Sequence, residues 1–422
     1  MSPRRLDLRI LCTSGAAIKY TLDSWPTLPL VISYDSRWSK HIPRNVKDAL
    51  RRPDRLCKID LNVKSSMTGP IVKAIQKPCQ VLKGIRITVN DAHGPSILVR
   101  NGFLGGSAPH LREIRLDGIA FPFPEIRQAL LSTNNLVVLH LSKIPNDVYF
   151  SPEDLVNGIS TLVQLERLTV GFYSPDSRPT PSMTRPRHQR ASLPSLAFLV
   201  FDGTSEYLEE FMARIDLLAL STIHIKVFND IVFEFPQFCE FMTRLNQPRS
   251  PTSASITFDL FKSDIVRVDF IQETKLRNEY YAHYTTGKRY TFETSCKPFD
   301  WKLSFLTQIT SQLSPLLSSV YELTIRSGSS LKVPTGEEAA DSTQWLDVFQ
   351  PFTHVTKVTV WERKVIPGIV QALVMEDAAE VLPELTTLSL PWNVRTPSVV
   401  KAAEQFVVTR WLSGRTVHLT DY

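Results

Sequence analysis

Residue types that perform catalysis occur in this chain, but not at the spacing that catalysis requires. The nine histidines are scattered singly, and none has a second histidine or a cysteine at metal-ligand spacing. The segment GFLGGSAP at 102–109 has a glycine pair and a serine without the GxSxG order of a nucleophile elbow. Gly287-Lys288 lacks the earlier glycine and the following hydroxyl residue of a phosphate loop. We therefore predict that the protein is not an enzyme and has no catalytic residue, metal or cofactor.

Charged and aromatic side chains that could bind a partner recur instead at alternate positions of short apolar segments. Seven of these positions are basic and six are acidic. A groove for nucleic acid carries a one-sided excess of Lys and Arg, so the mixed set favours a protein partner over a nucleic acid. The predicted partner-binding residues are Arg86, Arg115, Asp117, His140, Arg167, His224, Lys226, Arg326 and Trp361.

These side chains belong to a repeated pattern, LxxLxL, in which L stands for a large apolar residue. Alternation at the fourth and sixth places predicts a short strand with one buried face. The third, fifth and seventh places then lie on the opposite, exposed face. The first place of each copy is Leu56, Leu82, Leu111, Leu136, Leu165, Leu196, Leu220, Val320, Val355 and Leu385.

Segments with sequences typical of a helix follow the predicted strands. Ser151-Pro152-Glu153-Asp154 has a hydroxyl N-cap, a proline and two acids in the first turn. A strand, turn and helix repeated every 24 to 35 residues is the signature of leucine-rich repeats. We predict an α/β fold over 1–422: an irregular leucine-rich-repeat solenoid with parallel strands on the concave face and helices on the convex face. The alternative, a doubly wound α/β domain, explains the alternation but not the shared frame.

Two segments depart from the pattern. Residues 174–194 hold five prolines and four arginines without an apolar period, which predicts a flexible loop. That loop is either a basic contact or phosphorylation site, or a tolerated surface insertion. Residues 253–300 predict an irregular β-rich interruption with antiparallel hairpins, beginning with a degenerate copy at Ser253-xx-Ile256-x-Phe258.

The composition is that of a folded protein with a large core. The chain has 422 residues, 43% of them hydrophobic, and a net charge of +6. Its five cysteines are odd in number and far apart, without a CxxC pair, and there is no Asn-x-Ser/Thr sequon. The opening segment is too short in apolar residues for a signal peptide, and no stretch has the length of a membrane span. We predict a reduced cytoplasmic or nuclear location and no membrane partner.

Several longer phrases resemble a known family. RLDLRILCTSGAAIKYTLDSWPTLPLVI at 5–32, FLGGSAPHLREIRLDGIAFP at 103–122, YFSPEDLVNGISTLVQLERLTVGF at 149–172 and AAEQFVVTRWLSGRTV at 402–417 are similar to F-box/leucine-rich-repeat-like proteins of mushroom-forming fungi. The resemblance implies a leucine-rich-repeat fold. Where an F-box is present, it also implies a substrate receptor of a Skp1–cullin–F-box ubiquitin ligase.

The F-box itself is the point where this chain departs from that family. The segment WPTLPLVISY at 25–34 predicts a strand rather than the apolar helices of an F-box. Skp1 is therefore a predicted partner only if an F-box lies upstream. The predicted function is a non-catalytic protein–protein interaction module resembling the substrate-recognition part of such a ligase; the alternative is an F-box-independent leucine-rich-repeat scaffold or sequestering protein.

Overall fold

The computed structural model has a mixed α/β fold in which the chain forms two compact units, Met1–Leu220 and Ser221–Tyr422. The structure describes residues 9–13, 22–25, 27–37, 41–90, 97–99, 102–173, 190–228, 234–245, 250–259, 265–272, 287–295, 299–327, 342–375, 380–391 and 397–421. Most of the predicted 174–194 loop, residues 174–189, lies outside these ranges.

Parallel strands dominate the N-terminal unit. Its strands are β1 Ile10–Cys12, β2 Leu30–Asp35, β3 Leu56–Val63, β4 Gly84–Val89, β5 Ile97–Leu98, β6 Glu113–Asp117, β7 Ile119–Ala120, β8 Val138–Ile144, β9 Arg167–Phe172, β10 Ala191–Ser192, β11 Phe198–Gly203 and β12 Ile215–Asp216. Eight of them follow one another in the order β1-β2-β3-β4-β6-β8-β9-β11, and each neighbouring pair is parallel. The short pairs β5–β7 and β10–β12 are also parallel.

Helices connect these strands. They are α1 Arg44–Leu50, α2 Thr68–Ile75, α3 Phe123–Leu131, α4 Pro152–Ile159 and α5 Ser205–Arg214, with 3-10 turns at Pro53–Arg55, Ser65–Met67, Phe103–Gly106 and Asn146–Val148. Helix α4 begins where the sequence predicts. The Ser151 hydroxyl accepts a hydrogen bond from the Asp154 backbone N–H, and the Asp154 carboxylate accepts one from the Ser151 N–H. This reciprocal cap satisfies two backbone donors at the start of the helix.

The LxxLxL pattern coincides with the register of this sheet. The fourth places of neighbouring copies are cross-strand partners, and so are the sixth places, and all of these side chains are buried. Two continuous apolar rows therefore form the core side of the sheet. The rows consist of Ile59, Ile85, Ile114, Leu139, Leu168 and Leu199, and of Leu61, Ile87, Leu116, Leu141, Val170 and Phe201.

Helices cover the face of the sheet that carries these rows. Tyr207 on α5 packs against Phe201 of β11, with ring centroids 5.5 Å apart, and against Phe172 of β9 at 4.9 Å. The opposite face carries the third, fifth and seventh places of the pattern. In β6, for example, Ile114 and Leu116 are buried while the residues on either side are half-buried.

The C-terminal unit contains a strand that runs against its neighbours. Its strands are β13 Thr222–Val227, β14 Ser253–Asp259, β15 Ile265–Ile271, β16 Arg289–Ser295, β17 Glu322–Ser327, β18 Lys357–Val360, β19 Thr387–Leu390 and β20 His418–Asp421. They lie in the order β13-β16-β15-β14-β17-β18-β19-β20. β15 is antiparallel to both β14 and β16, whereas the other neighbouring pairs are parallel.

The helices of this unit lie on the core side, as in the N-terminal unit. They are α6 Pro236–Leu245, α7 Phe299–Gln312, α8 Ser314–Leu317, α9 Ser342–Phe349, α10 Ile366–Val374 and α11 Pro397–Leu412. The Phe238 ring of α6 lies 5.6 Å from Phe292 of β16, and Trp345 of α9 lies 6.2 Å from Phe258 of β14. None of the described helices is both long and apolar enough to cross a membrane.

The frame predicted for the degenerate copy at Ser253 is wrong by two residues. In the register of β14 with β17, Ala254 is the partner of Leu323, and Ile256 is the partner of Ile325. Leu323 and Ile325 are the fourth and sixth places of their copy, so Ala254 and Ile256 hold these places in β14. The sequence pattern misses this frame because Ala254 is not a large apolar residue. Ile256 and Phe258 alternate in the same way and are also buried, so the pattern assigns them to the fourth and sixth places.

Candidate interaction surface

Each unit has one sheet face that carries side chains of the third, fifth and seventh places rather than the apolar rows. We call it the open face of that unit. All nine predicted partner-binding residues belong to the repeats that supply these faces. Arg86, Arg115, Asp117, His140 and Arg167 lie in the N-terminal unit, and His224, Lys226, Arg326 and Trp361 lie in the C-terminal unit.

Glu113 is the centre of the charged groups on the N-terminal open face. Its Oε1 accepts hydrogen bonds from Arg115 Nε and from Arg86 Nη2, the latter at 3.3 Å. Arg86 also lies 3.9 Å from Asp60. Burial opposes ionisation of Glu113, but the hydrogen bond and charge of Arg115 and the charges of Arg86 and Lys58 hold its pKa below the ordinary value. The two predicted arginines are thus brought together by a carboxylate.

His140 lies beside this group as an uncharged side chain at neutral pH. It is the cross-strand partner of Arg115, and its Nε2 lies 3.0 Å from the Ser142 hydroxyl. Burial and the positive charge of Arg115 lower the pKa of His140, with the charge of Asp117 acting in the other direction. Asp117 in turn lies 2.9 Å from the Lys143 ammonium.

Arg167 lies apart from the Glu113 group and uses an aromatic partner. Its guanidinium carbon is 4.3 Å from the centroid of the Phe198 ring on the neighbouring strand β11. At that distance the cation is attracted to the face of the ring. The predicted residues of this unit therefore form ion pairs and a cation–π pair among open-face side chains.

The C-terminal open face contains a carboxylate that is almost fully buried. The Glu293 side chain is only 7% exposed, and its Oε2 accepts hydrogen bonds from Arg267 Nε at 3.1 Å and Nη2 at 3.0 Å. His224 Nε2 lies 3.1 Å from Glu293 Oε2 and forms an ion-pair contact that lacks the alignment of a hydrogen bond. Lys226 Nζ lies 3.9 Å from Glu293 Oε1.

The charges around Glu293 decide its ionisation. Burial raises the pKa, but the contact with His224 and the charges of Arg267 and Lys226 outweigh burial and hold the pKa of Glu293 below its ordinary value. Glu293 is therefore a carboxylate at neutral pH. It fixes the basic side chains of two neighbouring strands, β13 and β15, on either side of it.

A second buried carboxylate, Asp269, lies on the adjacent strand β15. Its side chain is 1% exposed, and its Oδ1 accepts hydrogen bonds from Arg289 Nε at 3.2 Å and from the Thr291 hydroxyl at 2.6 Å. Its Oδ2 lies 4.0 Å from Arg326 Nη2 and, among the described residues, accepts no hydrogen bond. Arg326 donates from Nε to the Thr257 hydroxyl at 3.1 Å.

Together these side chains form one group, which we call the basic cluster: His224, Lys226, Arg267, Arg289 and Arg326 around Glu293 and Asp269. Lys226 and the three arginines carry four positive charges against two negative charges. The cluster therefore has a net positive charge of 2 before any protonation of His224. The basic side chains of the cluster form salt bridges with buried carboxylates, while the basic groups themselves are partly exposed at the surface.

A row of hydroxyl side chains continues from the basic cluster across the same face. Strand register places these residues side by side, at the roughly 4.8 Å spacing of neighbouring strands. Ser389 and Thr420, at the far end of the row, are 2.6 Å apart. The row consists of Thr291, Ser255, Thr324, Thr359, Ser389 and Thr420, with Asp269 between the first two.

Trp361 lies outside the basic cluster. It follows β18 directly, is 53% exposed, and donates its backbone N–H to Ile325 O at 2.6 Å. On the strand itself, Lys357 pairs with Glu322 at 2.8 Å. Trp361 therefore adds an exposed aromatic ring near one end of the open face.

Sequence reasoning found three members of the basic cluster and missed four. His224, Lys226 and Arg326 belong to LxxLxL copies, whereas Arg267, Asp269, Arg289 and Glu293 belong to β15 and β16, which carry no such copy. The signal that could have found Arg267 and Asp269 is the alternation of IVRVDF at 265–270. Val266, Val268 and Phe270 are buried on the core side, so Arg267 and Asp269 share the other face.

Two buried thiols and one cavity are further features of the described residues that could support chemistry. Burial raises the pKa of the Cys12 and Cys79 thiols to about 11, which keeps both protonated at neutral pH. A cavity of about 320 Å³ is lined by Glu153, Arg190 and Arg214 among others. There the Arg214 guanidinium lies 2.8 Å from Glu210 and 3.7 Å from Glu153. Among the described residues, no group of three or more His, Cys, Asp or Glu is arranged to hold a metal ion.

Comparison with known proteins gives a remote likeness among solved structures. No protein-family model matches the chain, and no curated protein matches it. Among solved structures, the chain is similar to the leucine-rich-repeat-containing protein LegL7 from Legionella pneumophila. The identity is 11%, the TM-score is 0.28, and the match covers 83% of this chain and 87% of that one. A similarity at this TM-score says nothing about function. The functional proposal is therefore based on the side chains of the open faces.

Proposed function

We propose that this protein is a non-enzymatic interaction protein that binds a protein partner on its open faces. The observation that carries the proposal is the basic cluster, in which partly exposed arginines are fixed by two buried carboxylates on a sheet face that bears no apolar row. Preorganised charged side chains lose little conformational entropy when a partner binds. Arginine and aromatic side chains are also common binding anchors, and Trp361 lies near one end of this face.

The proposal includes the architecture that would present these faces. Parallel strands in register, each pattern copy contributing one strand, support a leucine-rich-repeat solenoid in which the open faces form the concave side. The extent of that repeat domain, 1–422, stays a prediction. The antiparallel strand β15 would be its main irregularity.

The narrower proposal is a substrate-recognition part of a Skp1–cullin–F-box ubiquitin ligase, and its support is the sequence resemblance alone. The second candidate is a scaffold or sequestering protein that works without an F-box. It needs no F-box, and Leu30–Asp35 within WPTLPLVISY is the strand β2 rather than an F-box helix. A cytoplasmic or nuclear location stays a prediction for both.

Photo-cross-linking in cells tests the proposed function. A photoreactive amino acid at Thr324, in the hydroxyl row of the open face, should cross-link to a protein partner. The control places the same amino acid at Glu240 on α6, which is on the helix side and is exposed. Equal cross-linking from both positions, or none from Thr324, would contradict binding on the open face.

Co-purification with recombinant Skp1 decides between the narrower proposal and the second candidate. Binding of Skp1 supports the ligase proposal. A chain that cross-links to a partner through Thr324 but does not bind Skp1 supports the scaffold.

A further inference from the structure

We infer that the basic cluster of the C-terminal open face binds an acidic segment of the protein partner. The inference rests on the proposed function and adds the chemical class of the segment that this face binds. It follows from three features of the cluster: its charge, the unused donors of its arginines, and the hydroxyl row that continues from it.

The four cations of the cluster outnumber its own two carboxylates. The side chains of Glu293 and Asp269 are only 7% and 1% exposed. Both carboxylates are therefore shielded from solvent and do not contact an anion that binds at the surface. The cations that surround them reach the surface, since Arg289 is 45% and Arg326 48% exposed. A ligand therefore contacts a positively charged surface, and the two carboxylates lie beneath that surface. This arrangement favours the binding of ligands that carry carboxylates.

The arginines are held in place but are not saturated. A guanidinium has five N–H donors. Arg267 donates from Nε and Nη2 to Glu293, and Arg326 donates from Nε to Thr257. Arg289 donates from Nε to Asp269, and its Nη2 lies 3.2 Å from the same carboxylate as an ion-pair contact. The described residues therefore do not use all of these donors, and each guanidinium retains N–H groups that can donate to a ligand. A planar guanidinium fixed in this way is suited to bidentate binding of a carboxylate.

The surroundings of the cluster favour a peptide over a nucleic acid. A nucleic-acid groove neutralises many phosphates with a long run of Lys and Arg. Here the positive charge is local, and the face continues as the hydroxyl row, in which Thr324 is half-buried and Thr420 exposed, while Ser255, Thr359 and Ser389 are buried. The accessible hydroxyls of Thr324 and Thr420 both donate and accept hydrogen bonds, which suits the mixed donors and acceptors of a peptide backbone.

Binding of a fluorescein-labelled oligoglutamate peptide, measured by anisotropy on the full chain, tests the inference. The main variant is K226Q/R326Q. It removes two positive charges, yet neither side chain donates a hydrogen bond to a buried carboxylate: Lys226 lies 3.9 Å from Glu293 and Arg326 lies 4.0 Å from Asp269. The fold should therefore be kept, which an unchanged melting temperature would verify.

The matched control is R244Q/K401Q. It removes one arginine and one lysine from the helix side of the same unit, and Arg244 is exposed to a similar extent, 44%. Oligoglutamine of equal length and oligothymidylate are the comparison probes. The expected result is binding of oligoglutamate alone, weakened about tenfold by K226Q/R326Q, as the loss of charged hydrogen bonds predicts, and unchanged by R244Q/K401Q.

Three results would overturn the inference. They are absence of oligoglutamate binding, equal loss of affinity in both double variants, and oligothymidylate binding at least as tight with the same dependence on Lys226 and Arg326. The last result would assign the cluster to nucleic acid. If any of them occurs while Thr324 still cross-links to a protein, the proposed function stands and only the acidic class of the partner segment is wrong.

Discussion

Glu293 and Arg267 join two antiparallel strands through a carboxylate that is almost inaccessible to solvent. Arg267 on β15 donates from Nε and Nη2 to Oε2 of Glu293 on β16, at 3.1 and 3.0 Å. The two residues are also directly opposite in the strand register. The pair therefore fixes β15 against β16 and at the same time orients the guanidinium at the surface. The proposed partner binding would therefore share this contact with the stability of the sheet.

The first prediction concerns this pair. Arg267→Gln should lower the free energy of unfolding by about 2 kcal/mol, because it leaves the buried Glu293 carboxylate with weaker partners. Adding Glu293→Gln should restore part of that loss, since the unpaired buried charge is then gone. Urea unfolding of the two single variants and the double variant measures the coupling. Additive losses in the double variant would contradict an energetic link between the two residues.

The second prediction concerns pH. The folded-state pKa of Glu293 lies below its ordinary value of 4.5, so ionised Glu293 stabilises the fold. That contribution is present above pH 4.5 and is lost as the pH falls through the folded pKa. Glu293→Gln should therefore reduce the fall in unfolding free energy below about pH 4.5. Glu240→Gln, an exposed control on α6, should keep the wild-type slope, and an unchanged slope in Glu293→Gln would argue against the shifted pKa.

The third prediction compares two glycines. Gly105 has φ +56°, and a Cβ placed there would lie 2.6 Å from Pro78 Cδ. Gly105→Ala should lower the unfolding free energy by about 1–3 kcal/mol through backbone strain and that clash. Gly69 in α2 has nothing within 4 Å of an added Cβ, so Gly69→Ala should raise it by about 0.5–1 kcal/mol. Thermal unfolding of both variants checks the opposite signs.

The fourth prediction concerns the start of α4. Ser151→Ala removes the hydroxyl that accepts the Asp154 N–H at 3.1 Å and should cost about 1 kcal/mol of stability. Ser160→Ala at the other end of the helix is the matched control, because its hydroxyl makes only a 3.5 Å contact with Asn157 O. Chemical denaturation should show the larger loss for Ser151→Ala. Equal losses would mean that the cap contributes no more than an ordinary surface hydroxyl.

The sequence by itself determined the parallel part of the fold. Its fourth and sixth apolar places, such as Ile114 and Leu116, occupy buried rows because a strand side chain alternates between two faces, a property that is local to the chain. The same local rule placed Arg115 and His140 on the opposite face. The start of α4 was equally local, since its cap needs only residues Ser151 and Asp154.

Only the tertiary structure decided the basic cluster. It depends on β16 lying next to β13, a pairing between segments far apart in the chain, and on β15 lying antiparallel between β14 and β16, its neighbours in sequence. Alternation states which residues of a strand share a face, but not which strand lies beside it. Arg267 and Glu293 each belong to an alternating segment, and nothing local to either segment states that they face each other. Strand order brings them together with His224 and Lys226, and thereby makes a group of separate charges into one surface.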